Sequence, residues 1–479
     1  MSTENKTDKS LRKYSSLAKN TLLFSISNIG SKFISFILVP LYTFVLTTEE
    51  YGKVELMITV ASLVIPILTL NVKDAVLRFA LDKKYSQSDI ISVAMKVNAV
   101  SFLILGGGVF LVERSGLFDI ERDLYAFLVA VFVSNSLHLA FTLYMKAKDK
   151  VSVIVVSSIL NTLSMCLLNI LLLVVFKWGV RGYMISYALS FFIASGYMFF
   201  AGKIYKDITF RTPKKITKEM LIYSTPLVLN SLAWWLNDAA DKYALTFLCS
   251  VAVMGTYSVA YKIPTILYTV QGVFNNAWSI SAIKEFDPED RDGFVGNVFS
   301  LFSFVCVMAG SAMILVNKPL SALLYSKDFF EAWKYVPFLL VAGVFSGLKD
   351  FLVNIFVASK KVKSIAITTV SGAAVNIICN FIFIKYIGPI GAALATVAGY
   401  VTIFLIRSIL LRKIIKMKVN LVVIISSYCL LFLQAVIATK GNMLWLQIVI
   451  FAALILVQIK LLLSFLAFIK ERFLNKKSQ

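Results

Sequence analysis

Apolar runs of about twenty residues follow one another along almost the whole chain, and nothing else in the sequence constrains the fold as strongly. A bilayer's hydrocarbon core is about 30 Å thick and a helix rises about 1.5 Å per residue, so each run is a candidate membrane span. Reading runs bounded by charge or turn residues gives fourteen: 20–46, 54–71, 90–112, 124–144, 151–176, 179–201, 220–248, 251–283, 294–316, 334–357, 364–386, 389–410, 419–438 and 443–469. Composition agrees, since 59% of the residues are hydrophobic, only 15% are charged and the mean hydropathy is +0.82. The expected fold is an all-α polytopic membrane protein with about 14 transmembrane helices. The first run is too long for a signal-peptide core and is expected to stay attached.

A net charge of +22 would point to nucleic acid in a soluble protein, but here its distribution decides otherwise. Outside the spans, the termini and even-numbered loops hold about 31 Lys and Arg, and the odd-numbered loops about 9. The positive-inside rule then places both termini in the cytoplasm. The excess suits an anionic inner leaflet and requires no nucleic-acid partner. No metal or cofactor is expected. The single histidine, His138, excludes a multi-histidine site and, with Asn135 one turn earlier, reads as a buried polar contact. The five cysteines are far apart in apolar runs without CxxC spacing and read as core residues.

The two halves resemble each other. Lys150-Val151, Asn169 and Gly179-Val180-Arg181-Gly182 correspond to Lys361-Val362, Asn376 with Asn380, and Gly388-Pro389-Ile390-Gly391, about 210 residues on. A weaker echo sets Glu50-Tyr51-Gly52-Lys53 against Val253-Met254-Gly255-Thr256. An even number of spans separates the copies, so the repeat is parallel, a pseudo-two-fold along the membrane normal. The expected organisation is a basic cytoplasmic lead (1–19), an N-lobe of spans one to six (20–201), a basic cytoplasmic linker (202–219), a C-lobe of spans seven to twelve (220–410), and spans thirteen and fourteen with a cytoplasmic tail (411–479). Such repeats commonly enclose a midplane site that rocking exposes to either side in turn. The GxxG pairs read as close helix packing or tight hairpins.

Ionisable residues inside spans are functional candidates, because a charge at the bilayer centre costs about 2.5 to 3.5 kcal/mol on insertion scales. Lys32 is the only charge between Asn20 and Thr48, with Asn28 one turn before it, and such a cation suits an anionic ligand, a phosphate or a sugar carboxylate. A partner on another helix is the rival reading. Span seven carries a polar stripe of Asn230, Trp234, Asn237, Asp238, Asp241 and Lys242. Asp238 and Lys242 are spaced to pair on their own helix, and Asp241 and Lys262 fall at matching depth about the following turn, which predicts a contact or a shared wet cavity. Tyr261, Gln271, Asn275 and Asn276 in span eight are placed to bond sugar hydroxyls, while Asp238 and Asp241 are candidate ion-coupling sites. The rival for this group is a self-neutralising structural network. Asp74 and Arg78 read as an interfacial pair, and Lys349 with Asp350 and Asn354 as a second polar cluster for coupling or gating. No GxSxG, P-loop or HExxH motif and no large loop supports catalysis, so the chain reads as a transporter and not an enzyme.

The first span with its Leu46-Thr47-Thr48-Glu49-Glu50-Tyr51-Gly52 turn, the Ala75-Val76-Leu77-Arg78-Phe79 segment and the stretch Gly388 to Thr396 together carry a family likeness. Over nearly its whole length the chain resembles the Wzx-type oligosaccharide flippases of the multidrug/oligosaccharidyl-lipid/polysaccharide exporter superfamily. The resemblance implies a MATE-like fold and translocation of undecaprenyl-diphosphate-linked oligosaccharide across the bacterial inner membrane, for capsule, O-antigen, lipopolysaccharide or a related glycan. It leaves open whether a polymerase and a chain-length regulator act beside it. Lys32, with Lys242 or Lys262, would then attract the diphosphate or acidic sugars. The alternatives are a MATE-type cation-coupled drug antiporter, which Asp238 and Asp241 keep open, and a membrane glycan polymerase, which the short outward loops disfavour.

Overall fold

The computed structural model describes residues 36–459 together with Gly30 and Lys32, except Lys83, Phe118, Asp119, Phe210, Arg211, Val362 and Asn442; the side chains of Trp234, Asn237 and Asp238 also lie outside the description. Among the described residues the regular structure is entirely helical. The helices are α1 (Val39–Val45), α2 (Thr48–Leu68), α3 (Val72–Ala80), α4 (Gln87–Ser115), α5 (Arg122–Ala147), α6 (Val151–Asn169), α7 (Gly179–Ala201), α8 (Lys214–Leu248) and α9 (Val251–Ala260). They continue as α10 (Pro264–Lys284), α11 (Phe294–Leu315), α12 (Asn317–Leu324), α13 (Val336–Ala358), α14 (Lys363–Ile387), α15 (Ile390–Leu411), α16 (Leu421–Thr439) and α17 (Leu444–Val457).

Ten of these stretches are long and apolar enough to cross a membrane, fewer than the fourteen expected spans. The difference has local causes. Most of span 20–46 lies outside the described residues, and α8 carries Asp241 and Lys242 in its apolar half. Span 251–283 breaks into α9 and α10 because Pro264 lacks the N–H that would continue the helix. Span 443–469 is described only through α17 and the residues just after it.

The sequence echo between the halves has a physical basis in their caps. The Thr47 hydroxyl accepts the Glu50 N–H at 3.2 Å while the Glu50 carboxylate accepts the Thr47 N–H at 2.8 Å, a reciprocal capping box that starts α2. About 203 residues on, the Ser250 hydroxyl accepts the Val253 N–H at 3.2 Å and starts α9.

By internal packing the chain divides into two compact units, Met1–Asp238 and Ala239–Gln479. The division falls inside α8, beyond the linker expected at 202–219, because the first part of α8 packs on the first unit. Met220 joins the buried cluster of Val76, Ile90, Ile91, Tyr144 and Met198, and Trp235 donates its indole N–H to the Thr59 carbonyl at 3.0 Å. In the second unit α13 is the central element, buried over 89% of its apolar window. Phe351 of α13 stacks on Trp278 at 4.4 Å between centroids and contacts Phe299 and Phe302.

Candidate functional site

The site in the second unit begins with glycines. A Cβ on Gly391 would lie 2.3 Å from the Phe383 carbonyl carbon, and one on Gly372 would lie 2.1 Å from Ile403. A Cβ on Gly399 would meet Asn376 at 2.9 Å. Only glycine permits this approach of α14 and α15, and Gly388, at φ +74°, supplies the left-handed turn between them. The structural reading of the GxxG pair therefore holds. Its consequence is that Asn376 and Asn380, one turn apart on α14, stand beside Thr396 on α15.

These side chains converge on Asp241 of α8, which is 3% exposed. One carboxylate oxygen accepts the Asn380 amide at 2.7 Å and the Asn376 amide at 3.0 Å. The other accepts the hydroxyls of Tyr257 at 2.9 Å, Tyr261 at 3.1 Å and Thr396. Five neutral donors thus surround one carboxylate, and among the described residues no cation lies within ion-pair distance of it. Removing an isolated carboxylate from water costs several kcal/mol. Hydrogen bonds to a charged group return about 1.5 to 3 kcal/mol each, so five of them offset that cost. The Asn380 side-chain oxygen is buried and unpartnered. Amide orientation follows the hydrogen-bond network, so turning both asparagines would present two more oxygens to a cation beside the carboxylate.

The sequence-predicted residues divide by their surroundings. Asp241 is the centre of the site, but its expected contact with Lys262 is absent. The chain turns at Tyr261–Ile263 ahead of Pro264, so Tyr257 and Tyr261 face the acid and Lys262 makes no ion pair with it. Asp74 and Arg78 do not pair. Asn71, in left-handed geometry before α3, donates its amide to Asp74 at 2.6 Å, and Arg78 lies 4.0 Å from Asp82. Gln271 is a packing residue, donating to the Gly343 carbonyl at 3.1 Å. Asn276 is exposed on α10 and Asn275 has a buried unpartnered oxygen. Lys242 is half-buried on α8 and Lys32 is exposed. Asn28 and the Asp238 side chain lie outside the described residues.

Lys349 and Asp350 do pair, at 2.8 Å, with Lys349 buried and also 5.0 Å from the Tyr400 ring centroid. Sequence reading missed their anchor, Arg407 of α15, which is 2% exposed. Its guanidinium donates to Thr368 at 3.0 Å, Thr369 at 2.9 Å and the Lys349 carbonyl at 2.9 Å, stapling α13, α14 and α15 together. An arginine four residues before the end of an apolar run reads as an interfacial cation, and that placement hid it. Tyr261, expected to bond a sugar hydroxyl, donates to Asp241 instead; Tyr257 and Thr396 were missed because tyrosine and threonine are unremarked in an apolar helix until an acid faces them.

The first unit has a counterpart built from the repeat's other copy. Asn169, fully buried, donates to the Tyr42 hydroxyl at 2.9 Å. Tyr42 packs against Tyr183 at 4.7 Å, and Tyr51 stacks on Tyr183 at 5.9 Å and donates to Glu55 at 3.1 Å. Directly after Asn169 the chain runs on as a π-helix, Ile170–Val175. His138 of the same unit lies edge-on to Phe191 at 5.2 Å, with its Nδ1 buried and unpartnered.

Among solved structures, the chain is similar to the lipid II flippase MurJ in an inward closed conformation, with a TM-score of 0.67 at 17% identity over 94% of this chain and 99% of that one. It is also similar to a multidrug resistance MATE family transporter of the MOP superfamily. The inward-facing form gives a TM-score of 0.60 at 12% identity, covering 81% of this chain and 95% of that one. The outward-facing form gives 0.55 at 14% identity, covering 82% and 95%. No curated protein matches by sequence. At such identities the likeness carries the fold alone, that of a multi-pass helical membrane protein. Residues 17–283, more than half of the chain, match the polysaccharide biosynthesis protein family, and the chain belongs to that family.

Proposed function

We propose that this protein translocates undecaprenyl-diphosphate-linked oligosaccharide across the bacterial inner membrane by alternating access, driven by a cation gradient through Asp241. Membership of a polysaccharide biosynthesis family supports the glycan, and the fold shared with a lipid II flippase supports a lipid-linked one. The observation that carries the coupling is the buried carboxylate held by five neutral donors and, among the described residues, by no cation. A cation can join such a carboxylate where the hydroxyls of Tyr257, Tyr261 and Thr396 stand beside it to lend oxygen ligands. Lys32 supplies the proposed diphosphate contact, Lys242 or Lys262 a second positive charge, and Asn28, Asn275 and Asn276 the glycan contacts. Both termini face the cytoplasm in this reading, and a polymerase with a chain-length regulator would use the product.

The test is translocation of a fluorescent undecaprenyl-diphosphate-linked oligosaccharide in proteoliposomes under an imposed sodium or proton gradient. Wild type should respond to one of the gradients and Asp241→Asn to neither. Lys32→Ala should slow translocation while keeping its gradient dependence. Gradient-driven exchange of cationic dyes, with no movement of the lipid-linked glycan, would instead establish the drug-antiporter reading.

A further inference from the structure

A cavity of about 400 Å³ lies at one end of the second unit, where α11, α12 and the Lys327–Lys334 turn meet the α16–α17 hairpin. Its walls are mostly apolar, with Phe330 and Leu444 among them, and Gln447 and Lys318 also line it. Gln447, in the first turn of α17 and 7% exposed, turns a buried side-chain oxygen that accepts no hydrogen bond. Lys318 of α12 is exposed at the mouth. Its ammonium sits 5.2 Å from the Trp333 ring centroid and makes only a long 3.4 Å bond to the Gly441 carbonyl. Gly441, at φ +86°, keeps the space between them open, since a Cβ there would lie 3.4 Å from Trp333 and 3.8 Å from the Lys318 nitrogen. Asn317 is spent on the Trp333 carbonyl and Ser321.

An unmet buried acceptor is costly, and an ammonium that among the described residues pairs with no carboxylate suits an anion. The ligand must therefore combine an apolar body, a negative charge and a hydrogen-bond donor. Exposed apolar side chains ring this end of the unit, with Val316 at 49%, Leu323 at 74% and Trp445 at 67%, so it lies where a bilayer meets water. We propose that the cavity binds an anionic glycerophospholipid whose headgroup carries a hydroxyl. Its phosphate pairs with Lys318, its hydroxyl donates to Gln447, and an acyl chain runs along the apolar wall. A zwitterionic headgroup fits less well, because its own ammonium would face Lys318. The bound lipid fastens α12 to the α16–α17 hairpin.

Native mass spectrometry of the full-length protein in detergent, titrated with chain-matched phosphatidylglycerol, phosphatidylmethanol and phosphatidylcholine, separates the two contacts. Wild type should retain phosphatidylglycerol about tenfold over phosphatidylcholine, with phosphatidylmethanol, which has the charge but no hydroxyl, between them. Gln447→Leu should bring phosphatidylglycerol down to the phosphatidylmethanol level. Lys318→Ala should erase the preference for anions, and Lys318→Arg should keep it. Equal retention of the three lipids by wild type overturns the site, as does a preference that survives Lys318→Ala. Equal retention of phosphatidylglycerol and phosphatidylmethanol by wild type overturns the Gln447 contact without need of any variant.

Discussion

The Asp241 nest and the Tyr42–Asn169 nest are the same construction made twice with different central groups. In both, an asparagine on the first helix of a close-packed pair donates inward: Asn376 with Asn380 on α14, Asn169 on α6. In the second unit the acceptor is a carboxylate gathering donors from α9, α14 and α15. In the first it is a tyrosine hydroxyl packed among further tyrosine rings, and the acid, Glu55, is bonded by Tyr51. A phenol among rings is a packing element that stays neutral. In the proposed reading the carboxylate among neutral donors is the group that answers a cation gradient, while the other nest holds shape.

The comparison can be broken most directly at Asp241. Asp241→Asn should remove the gradient-driven part of translocation, a fall of roughly 5- to 150-fold for a typical coupling energy, measured in the proteoliposome assay. Tyr42→Phe should leave gradient dependence intact, and its loss there would place coupling in the first unit instead. Next in size is the glycine approach that builds each nest. Gly391→Ala must push backbone at 2.3 Å and should cost about 1 to 3 kcal/mol. Gly182→Ala meets Leu172 at 3.1 Å and should cost less, so thermal melting of the purified variants ranks the two helix pairs. Asn380→Leu should weaken the hold on the charge by about 1.5 to 3 kcal/mol, read as a shift in the cation concentration that gives half-maximal thermal stabilisation. The smallest effect is expected from Tyr42→Phe on stability, about 1 kcal/mol for one neutral hydrogen bond, with no cation-dependent component.

Residue spacing disclosed part of this. The GxxG turns have the close-packing role their spacing suggested, whereas the inward amides of Asn169, Asn376 and Asn380 and the caps that open α2 and α9 lie behind an echo that spacing showed only as a repeat. Asp241 stood out because a charge in an apolar run is costly anywhere in a membrane. Its partners did not, since Lys262 at matching depth is the natural expectation for two antiparallel helices. The helix ends at Ala260, and Tyr257 and Tyr261 occupy the acid in place of the lysine. Asp74 and Arg78 failed for a similar reason: spacing of four permits a pair, but Asn71 and Asp82 were nearer competitors. Arg407 and Gln447 were unreadable because burial near a helix end depends on what packs over that end.

The sequence by itself determined that this is a membrane-embedded helical repeat, because the length of apolar runs and the cost of exposed backbone in lipid leave a chain like this no other fold. It also marked which charges had to be explained. Tertiary structure alone decided which of them share a site, because an acceptor on α8 and donors on α14 and α15, up to 155 residues from it in the chain, meet only after glycine contacts draw α14 and α15 together. Hydrogen bonds act over about 3 Å, and no spacing along a sequence encodes that distance between helices.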